Sequence, residues 1–312
     1  DFSAIRQNLI KRMGDTIWAI NPNAHLILEH WCNNNEEKIL SDYGFMLWGN
    51  QTYNFHQAGA GHSQSNFSWA YHGSRGWSQP SLVSYPESHD EERLMYEVNT
   101  YGNQSNPNHN PRSLATGLGR AEAVNLFAYL IPGPRMVWMF GELGYDVSIN
   151  NPCRVCNKPI LWNYYQVPER RRLYDVTAAI FNVRRAHPAT FRDGTFSHSL
   201  AGNVKRMIFS SPGMDAVVLG NFAVTTQSAI PAFTKVGTWY EYFTGDSIVV
   251  TDPTASLSLA PGGYRLYTSE KLAKPQITLS APELEPSVSR VFPNPALDGF
   301  WLDRPAAKGQ VE

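Results

Sequence analysis

Cysteine is scarce, charge is balanced and no long apolar run occurs, and each shortage excludes something. The 312 residues contain three cysteines, Cys32, Cys153 and Cys156, too few for a disulfide framework. Cys153 and Cys156 form one C-x-x-C. A structural zinc site needs a second such pair, and a thioredoxin-like redox pair needs a helix start, which Asn157-Lys158-Pro159 does not offer. The pair reads as part of a surface loop, joined or not, and no metal site is expected in the chain. Lys and Arg number 26 against 27 Asp and Glu. Without a basic excess to neutralise phosphates, a dedicated nucleic-acid binder is disfavoured. The most apolar stretch, 121–140, is broken by Glu122, Asn125, Pro132, Pro134 and Arg135. No run reaches the ~20 residues that span a bilayer, so no membrane span is expected. The first residues lack the basic, apolar and small-residue order of a signal peptide. Phe2, Ile5, Leu9, Met13 and Ile17 recur instead at helical spacing and predict an amphipathic helix.

What is present supports a large folded core, with 42% hydrophobic and 17% charged residues. Near-continuous apolar runs at 25–28, 43–48, 81–85 and 136–140 lead into Glu29, Gly49-Asn50, Pro86–Asp90 and Gly141-Glu142. Runs without alternation suit strands of a parallel sheet buried on both faces. Helical patterns lie between and after them, at 36–40, 118–130 and 168–185, while 54–77 is ambiguous. The last helix has Pro168 at its first turn and Arg184-Arg185 at its end, before Pro188. Strands alternating with helices predict βα units.

Beyond residue 189 the texture changes. Short strands at 207–209, 216–219, 239–243, 247–250 and 264–267 are separated by Pro212-Gly213, Thr244-Gly245-Asp246 and Pro261-Gly262-Gly263. This predicts an antiparallel β-sandwich over 190–272. A Pro/Ser/Glu-rich linker follows at 273–289, and a last segment occupies 290–312.

Carboxylates stand where βα barrels place their chemistry, at the C-terminal ends of strands. Glu29 follows the first run, and Glu87 and Asp90 follow the third. Glycoside hydrolysis uses such pairs, one protonated and one ionised. A Glu at the end of an apolar strand is expected to be desolvated and so held protonated; the alternative role for strand-end carboxylates is capping the next helix.

Leu26–Trp31 together with Glu87-Ser88-His89-Asp90-Glu91-Glu92-Arg93 resembles glycoside hydrolase family 13, the α-amylase family. Gly141-Glu142-Leu143-Gly144 resembles the turn after that family's last barrel strand, and Trp239–Gly245 with Leu257 and Tyr264 resembles its C-terminal sandwich. The resemblance covers residues 1 to about 270. It implies an α/β fold: the second half of a (β/α)8 barrel over 1–189, about four βα units, followed by the sandwich. It implies a retaining α-glycosidase acting on starch-like α-glucans, with Glu29 as general acid/base and Asp90 as the carboxylate that stabilises the transition state. His89 would bind the same sugar. Trp31, Trp48, Asn50, Tyr85 and Arg93 would lie in or behind the cleft, Arg93 neutralising a neighbouring carboxylate. Glu87 and Glu91 would be supporting groups.

The departure from the family is as informative. A retaining enzyme needs a nucleophilic carboxylate roughly 5–5.5 Å from the acid. The family's Gly-Phe-Arg-x-Asp-like segment, its Asp-x-x-x-Asn-His-like segment and the excursion that helps hold calcium are missing here. The chain alone is therefore expected to be inactive, with the nucleophile upstream of Asp1. No cofactor is expected in this chain; calcium is possible in the intact parent. The alternatives are a non-catalytic α-glucan-binding protein or an α-glucan branching or transglycosylating enzyme. Val291-Phe292-Pro293-Asn294-Pro295 with Gly299-Phe300 resembles the start of a type IX secretion sorting domain. That implies a Bacteroidetes-like source, passage through that secretion machinery, and a secreted or outer-surface location.

Overall fold

The computed structural model describes residues 2–278, 290–292 and 301–303. The first helix, α1 (Ala4–Ile20), is N-capped by Ser3, whose hydroxyl accepts from the Arg6 amide. It leads into β1 (Ile27–Leu28), α2 (Asn34–Tyr43) and β2 (Met46–Asn50). The 43–48 run thus divides: Tyr43 ends α2, and Gly44, at φ 122°, makes the reversal that a side chain would resist. After α3 (Thr52–Ala60) and two 3₁₀ turns comes β3 (Leu82–Tyr85), buried throughout. The helices α4 (Leu94–Tyr101), α5 (Leu114–Leu130) and α6 (Pro168–Ala186) complete the α/β part.

The three strands form a parallel sheet in the order β1-β2-β3, with Leu28 beside Leu47 and Asn50 beside Tyr85. The predicted fourth strand, 136–140, is corrected. It touches β3 through one isolated bridge, Arg135 to Ser84, and then turns at Phe140, at φ 57°. Pro132 and Pro134 just before it carry no amide hydrogen to extend a ladder. The α1 stripe is also turned the unexpected way. Ile5 is 85% exposed, and Phe2, Leu9, Met13 and Ile17 are exposed with it. The opposite face faces the fold: a Cβ on Gly14 would meet the Phe45 ring at 2.4 Å, so only glycine permits that approach.

After the short helix α7 (Pro188–Phe191), the chain is all β. Strands β4 (Thr195–Ser199), β5 (Val204–Ser210), β6 (Ala216–Asn221), β7 (Gln227–Ala229), β8 (Gly237–Glu241), β9 (Ser247–Val250), β10 (Leu257–Leu259) and β11 (Tyr264–Thr268) form two antiparallel sheets. The larger has the order β4-β5-β6-β11-β8-β9 and the smaller pairs β7 with β10. Residues Val217, Leu219, Trp239 and Leu259 fill the space between them. Strand β5 alternates strictly, which puts Lys205 on the buried side between the rings of Phe67 and Phe222. Its ammonium is satisfied by the carbonyls of Ser65 at 2.7 Å, Gly202 at 2.7 Å and Leu200 at 3.1 Å. A last antiparallel pair, β12 (Arg290–Phe292) with β13 (Trp301–Asp303), lies near the end. The Pro293-Asn294-Pro295 segment and Gly299-Phe300, which carry the resemblance to a sorting domain, fall outside the described residues.

One core runs through both parts. From Arg120 to its end, helix α5 is buried on every side, as a helix at the centre of a domain must be. Its polar residues are ties. Asn125 donates to Thr177 of α6, and Glu122 accepts from Tyr264 of β11 at 2.7 Å and pairs with Arg172 of α6 at 2.9 Å. Arg120 donates to the carbonyls of Ala58 and Gly59, at the C-terminal end of α3, and to those of Phe222 and Ala223, just after β6. A cation at a helix C-terminus meets the negative end of the dipole. The same guanidinium pins the β part to the helices. Replacing Arg120 by Met is expected to lower unfolding free energy by about 3 kcal/mol or more, because several buried carbonyls lose their donor. Urea unfolding of the variant checks this; an unchanged midpoint would show that the tie is dispensable.

Candidate active site

The parallel strands bring their C-terminal ends to one place. Asn50 ends β2 and Tyr85 ends β3, and the two are direct register partners. Glu29 follows β1 immediately. Burial drives the Tyr85 phenol well above its usual pKa, and the charges of Glu91, Asp90 and Glu29 push it further up. All three carboxylates thus lie within electrostatic reach of one phenol. The Trp48 ring stands edge-on to Tyr85, with centroids 5.8 Å apart. Asn50 donates to Glu91, which also accepts from Ser88. The Asp90 amide donates to Ser88 Oγ at 3.1 Å, and His89 Nε2 lies 3.3 Å from the Asp90 carboxylate.

The structure thus gathers Glu29, Asp90, His89, Trp48, Asn50 and Tyr85 at one end of the sheet. Trp31 joins them, its indole donating to Glu29 at 3.3 Å while its ring stays 54% exposed. One expectation is corrected: Glu29 is exposed rather than desolvated. Strand β1 is two residues long and forms the sheet's edge, so among the described residues no further strand covers the carboxylate from that side.

Arg93 lies behind the cleft, 4% exposed, paired with the equally buried Glu87. It also donates to the Met139 carbonyl and stacks 4.7 Å from the Tyr145 ring centroid. Burial raises the Glu87 pKa, with Arg93 opposing and Glu142 adding to it. Gly141 admits this carboxylate: a Cβ there would lie 2.9 Å from Glu87 Oε1. Removing Arg93 leaves Glu87 buried without its cation. Arg93→Met is expected to cost about 3–5 kcal/mol of stability. Adding Glu87→Gln should recover part of it. A calorimetric melt in which the double variant is no better than the single one would refute the pairing as the cause.

Several residues of the site were not picked out from the sequence. Trp138 has its ring 5.6 Å from His89, and Glu92, Arg154 and Lys158 hold a loop, 148–158, against the cleft. The basic residues around the C-x-x-C were the one available signal. Cys153 and Cys156 are joined as a disulfide. With Asp90, Trp138 and Tyr145, the loop encloses a cavity of about 460 Å³.

Among the described residues one group of metal-type ligands converges: His30, Cys32 and Glu36, with ligand atoms within 4.8 Å of one another. Glu36 is already engaged by Arg6 at 2.8 Å, the Ser3 amide at 2.6 Å and His30 at 2.9 Å. Burial works against its charge, yet these donors hold its pKa down to about 2. The group acts as a tie between α1 and α2.

No family model and no curated protein matches the chain. Solved structures do. An α-amylase from Geobacillus thermoleovorans, crystallised with acarbose, superposes with a TM-score of 0.62 at 15% identity, over 85% of this chain and 58% of that one. The fold is that of the α-amylases. The cyclomaltodextrin glucanotransferase CldA gives a TM-score of 0.63 at 13% identity, over 85% of this chain and 54% of its own. A pullulanase from Bacillus acidopullulyticus gives 0.59 at 15% identity, over 84% and 36%. The α/β part corresponds to the C-terminal half of an amylase-type barrel, and the antiparallel part to the sandwich behind it. The chain spans little more than half the length of the amylase it matches.

Proposed function

We infer that this chain is the C-terminal part of a retaining α-glycosidase of the α-amylase type, acting on starch-like α-glucans. The observation that carries this reading is the placement of Glu29 just beyond β1 and of Asp90 beyond β3, at the same end of a parallel sheet that finishes in Asn50 and Tyr85, with Trp31, Trp48 and Trp138 beside them. In this reading Glu29 protonates the glycosidic oxygen as its bond to the sugar carbon breaks, and later takes a proton from the attacking water. Asp90 and His89 hold the hydroxyls of the same sugar. The aromatic rings supply apolar faces for the flat sides of glucose units.

The nucleophile is assigned to a preceding segment of the parent protein. Two features support that assignment: β1 offers an unpaired parallel edge, and the exposed stripe Phe2, Ile5, Leu9, Met13 and Ile17 of α1 offers an apolar face. Further βα units would cover both. Any calcium belongs, on this reading, to the same missing half. Export through a type IX sorting domain to the cell surface or beyond remains part of the proposal, on the Pro293-Asn294-Pro295 segment.

The test is direct. The isolated 312-residue chain is expected to release no reducing sugar from starch. The parent carrying the upstream segment is expected to do so. Hydrolysis by the isolated chain that disappears in Glu29→Gln would overturn the assignment of the nucleophile. A parent that binds maltoheptaose without cutting it would establish a glucan-binding protein instead.

A further inference from the structure

We propose that loop 148–158 is a cross-linked clamp that holds Asp90 in place and walls the cleft beside it, with Arg154 as the positioning residue. The proposal rests on the glycosidase reading for its catalytic consequence. Its structural part stands on the contacts alone.

The loop is tied at three levels. At its root, Glu92 accepts from Ser148 Oγ at 2.8 Å, the Ile149 amide at 2.8 Å and Asn150 Nδ2 at 3.3 Å. Glu92 stands two residues after Asp90, so the loop is anchored to the segment it would position. In its middle, the Cys153–Cys156 disulfide closes the turn. Lys158 fixes that turn from inside, donating to the carbonyls of Cys153 at 2.6 Å, Asn151 at 3.3 Å and Ile149. At its tip, Arg154 Nη2 donates to the Asp90 carbonyl at 2.5 Å.

Ordering an exposed loop costs about 1–2 kcal/mol per residue. Here the ties that offset the cost return to 90–92 at both the root and the tip. Asp90 needs such support. Its carboxylate is 57% exposed and, among the described residues, meets only the exposed His89 ring. Among the described residues no buried cation pairs with it, so its direction is set through its backbone. The loop then faces Trp138 and Tyr145 across the cavity, with Val155 at its tip exposed towards solvent. A catalytic carboxylate has to stay within about 0.5 Å of its working position.

Hydrogen–deuterium exchange on this chain tests the clamp without any activity. Arg154→Ala is expected to speed exchange at residues 88–93 about fivefold, leaving α5 and the sandwich unchanged. Arg154→Lys should restore protection, because an ammonium still donates to the Asp90 carbonyl. The paired change Cys153→Ser with Cys156→Ser should act in the same direction as Arg154→Ala. In the parent, Arg154→Ala is expected to lower kcat about tenfold with KM for a long glucan nearly unchanged. Unchanged exchange at 88–93 overturns the proposal, and so does faster exchange spread over the whole chain. A normal kcat in Arg154→Ala overturns its catalytic part. If the wild-type parent cuts no glucan, the glycosidase reading fails, while the exchange result still decides the clamp.

Discussion

Glu29→Gln in the parent protein is expected to reduce kcat/KM on starch by about 10⁴-fold, which is ~5.5 kcal/mol of transition-state stabilisation. The amide is nearly isosteric and keeps the hydrogen bond from Trp31 within reach, so folding should be unaffected. On the proposed role, what it removes is the proton given to the leaving oxygen. The loss should therefore depend on the leaving group. With α-glucosyl fluoride, whose fluoride departs without protonation, the first step should run close to the wild-type rate. Steady turnover should stall at the second step, where Glu29 activates water. Equal losses on starch and on the fluoride would remove Glu29 from the acid/base role. The exposed position of Glu29 in this chain adds a condition. Acid catalysis at neutral pH calls for a carboxyl shielded from water, and the covering of the β1 edge by further barrel units would supply that shield.

Asp90→Asn is expected to cost about 10³-fold in kcat, with a smaller change in the binding of maltoheptaose. A carboxylate that grips sugar hydroxyls as positive charge builds on the ring contributes mainly in the transition state. Its loss should therefore be nearly independent of the leaving group, in contrast to Glu29→Gln. The two variants together separate the roles: fluoride rescues the first step for one and not for the other. A kcat within threefold of wild type in Asp90→Asn would reassign the stabilising role, with Glu91, held by Asn50 and Ser88, the next carboxylate to replace.

How far the sequence alone reached differs by element. Helix α6 was legible almost to its ends, because Pro168, the apolar spacing and Arg184-Arg185 are local signals. Strand β3 and five sandwich strands, β5, β6, β8, β9 and β11, were legible for the same reason, a short apolar run between turn residues, whereas the shorter or more polar β4, β7 and β10 were not. The motif residues of the candidate site were legible because Glu29 and Asp90 each lie just beyond a strand, and parallel register fixes where such residues gather. The 136–140 run had the same composition and did not become a strand, since a strand requires a neighbour and this one meets β3 only at Ser84.

Sequence periodicity determined that α1 is amphipathic, and the residue patterns determined that 118–130 is helical and 207–209 a strand. Tertiary structure decided which faces found partners. The α1 stripe faces outwards because Gly14 gives Phe45 its close approach on the other side. Lys205 is buried because carbonyls of Ser65, Leu200 and Gly202 meet it there. Arg120 joins carbonyls some sixty residues before it to others about a hundred after it. Arg154 meets Asp90 across sixty-four positions of chain. Local propensity carries the conformation of a segment, because that depends on neighbours a few residues away. The partners of a buried cation, and the exposure of a strand-end carboxylate such as Glu29, depend on groups far off in the chain, and only the packed fold brings those together.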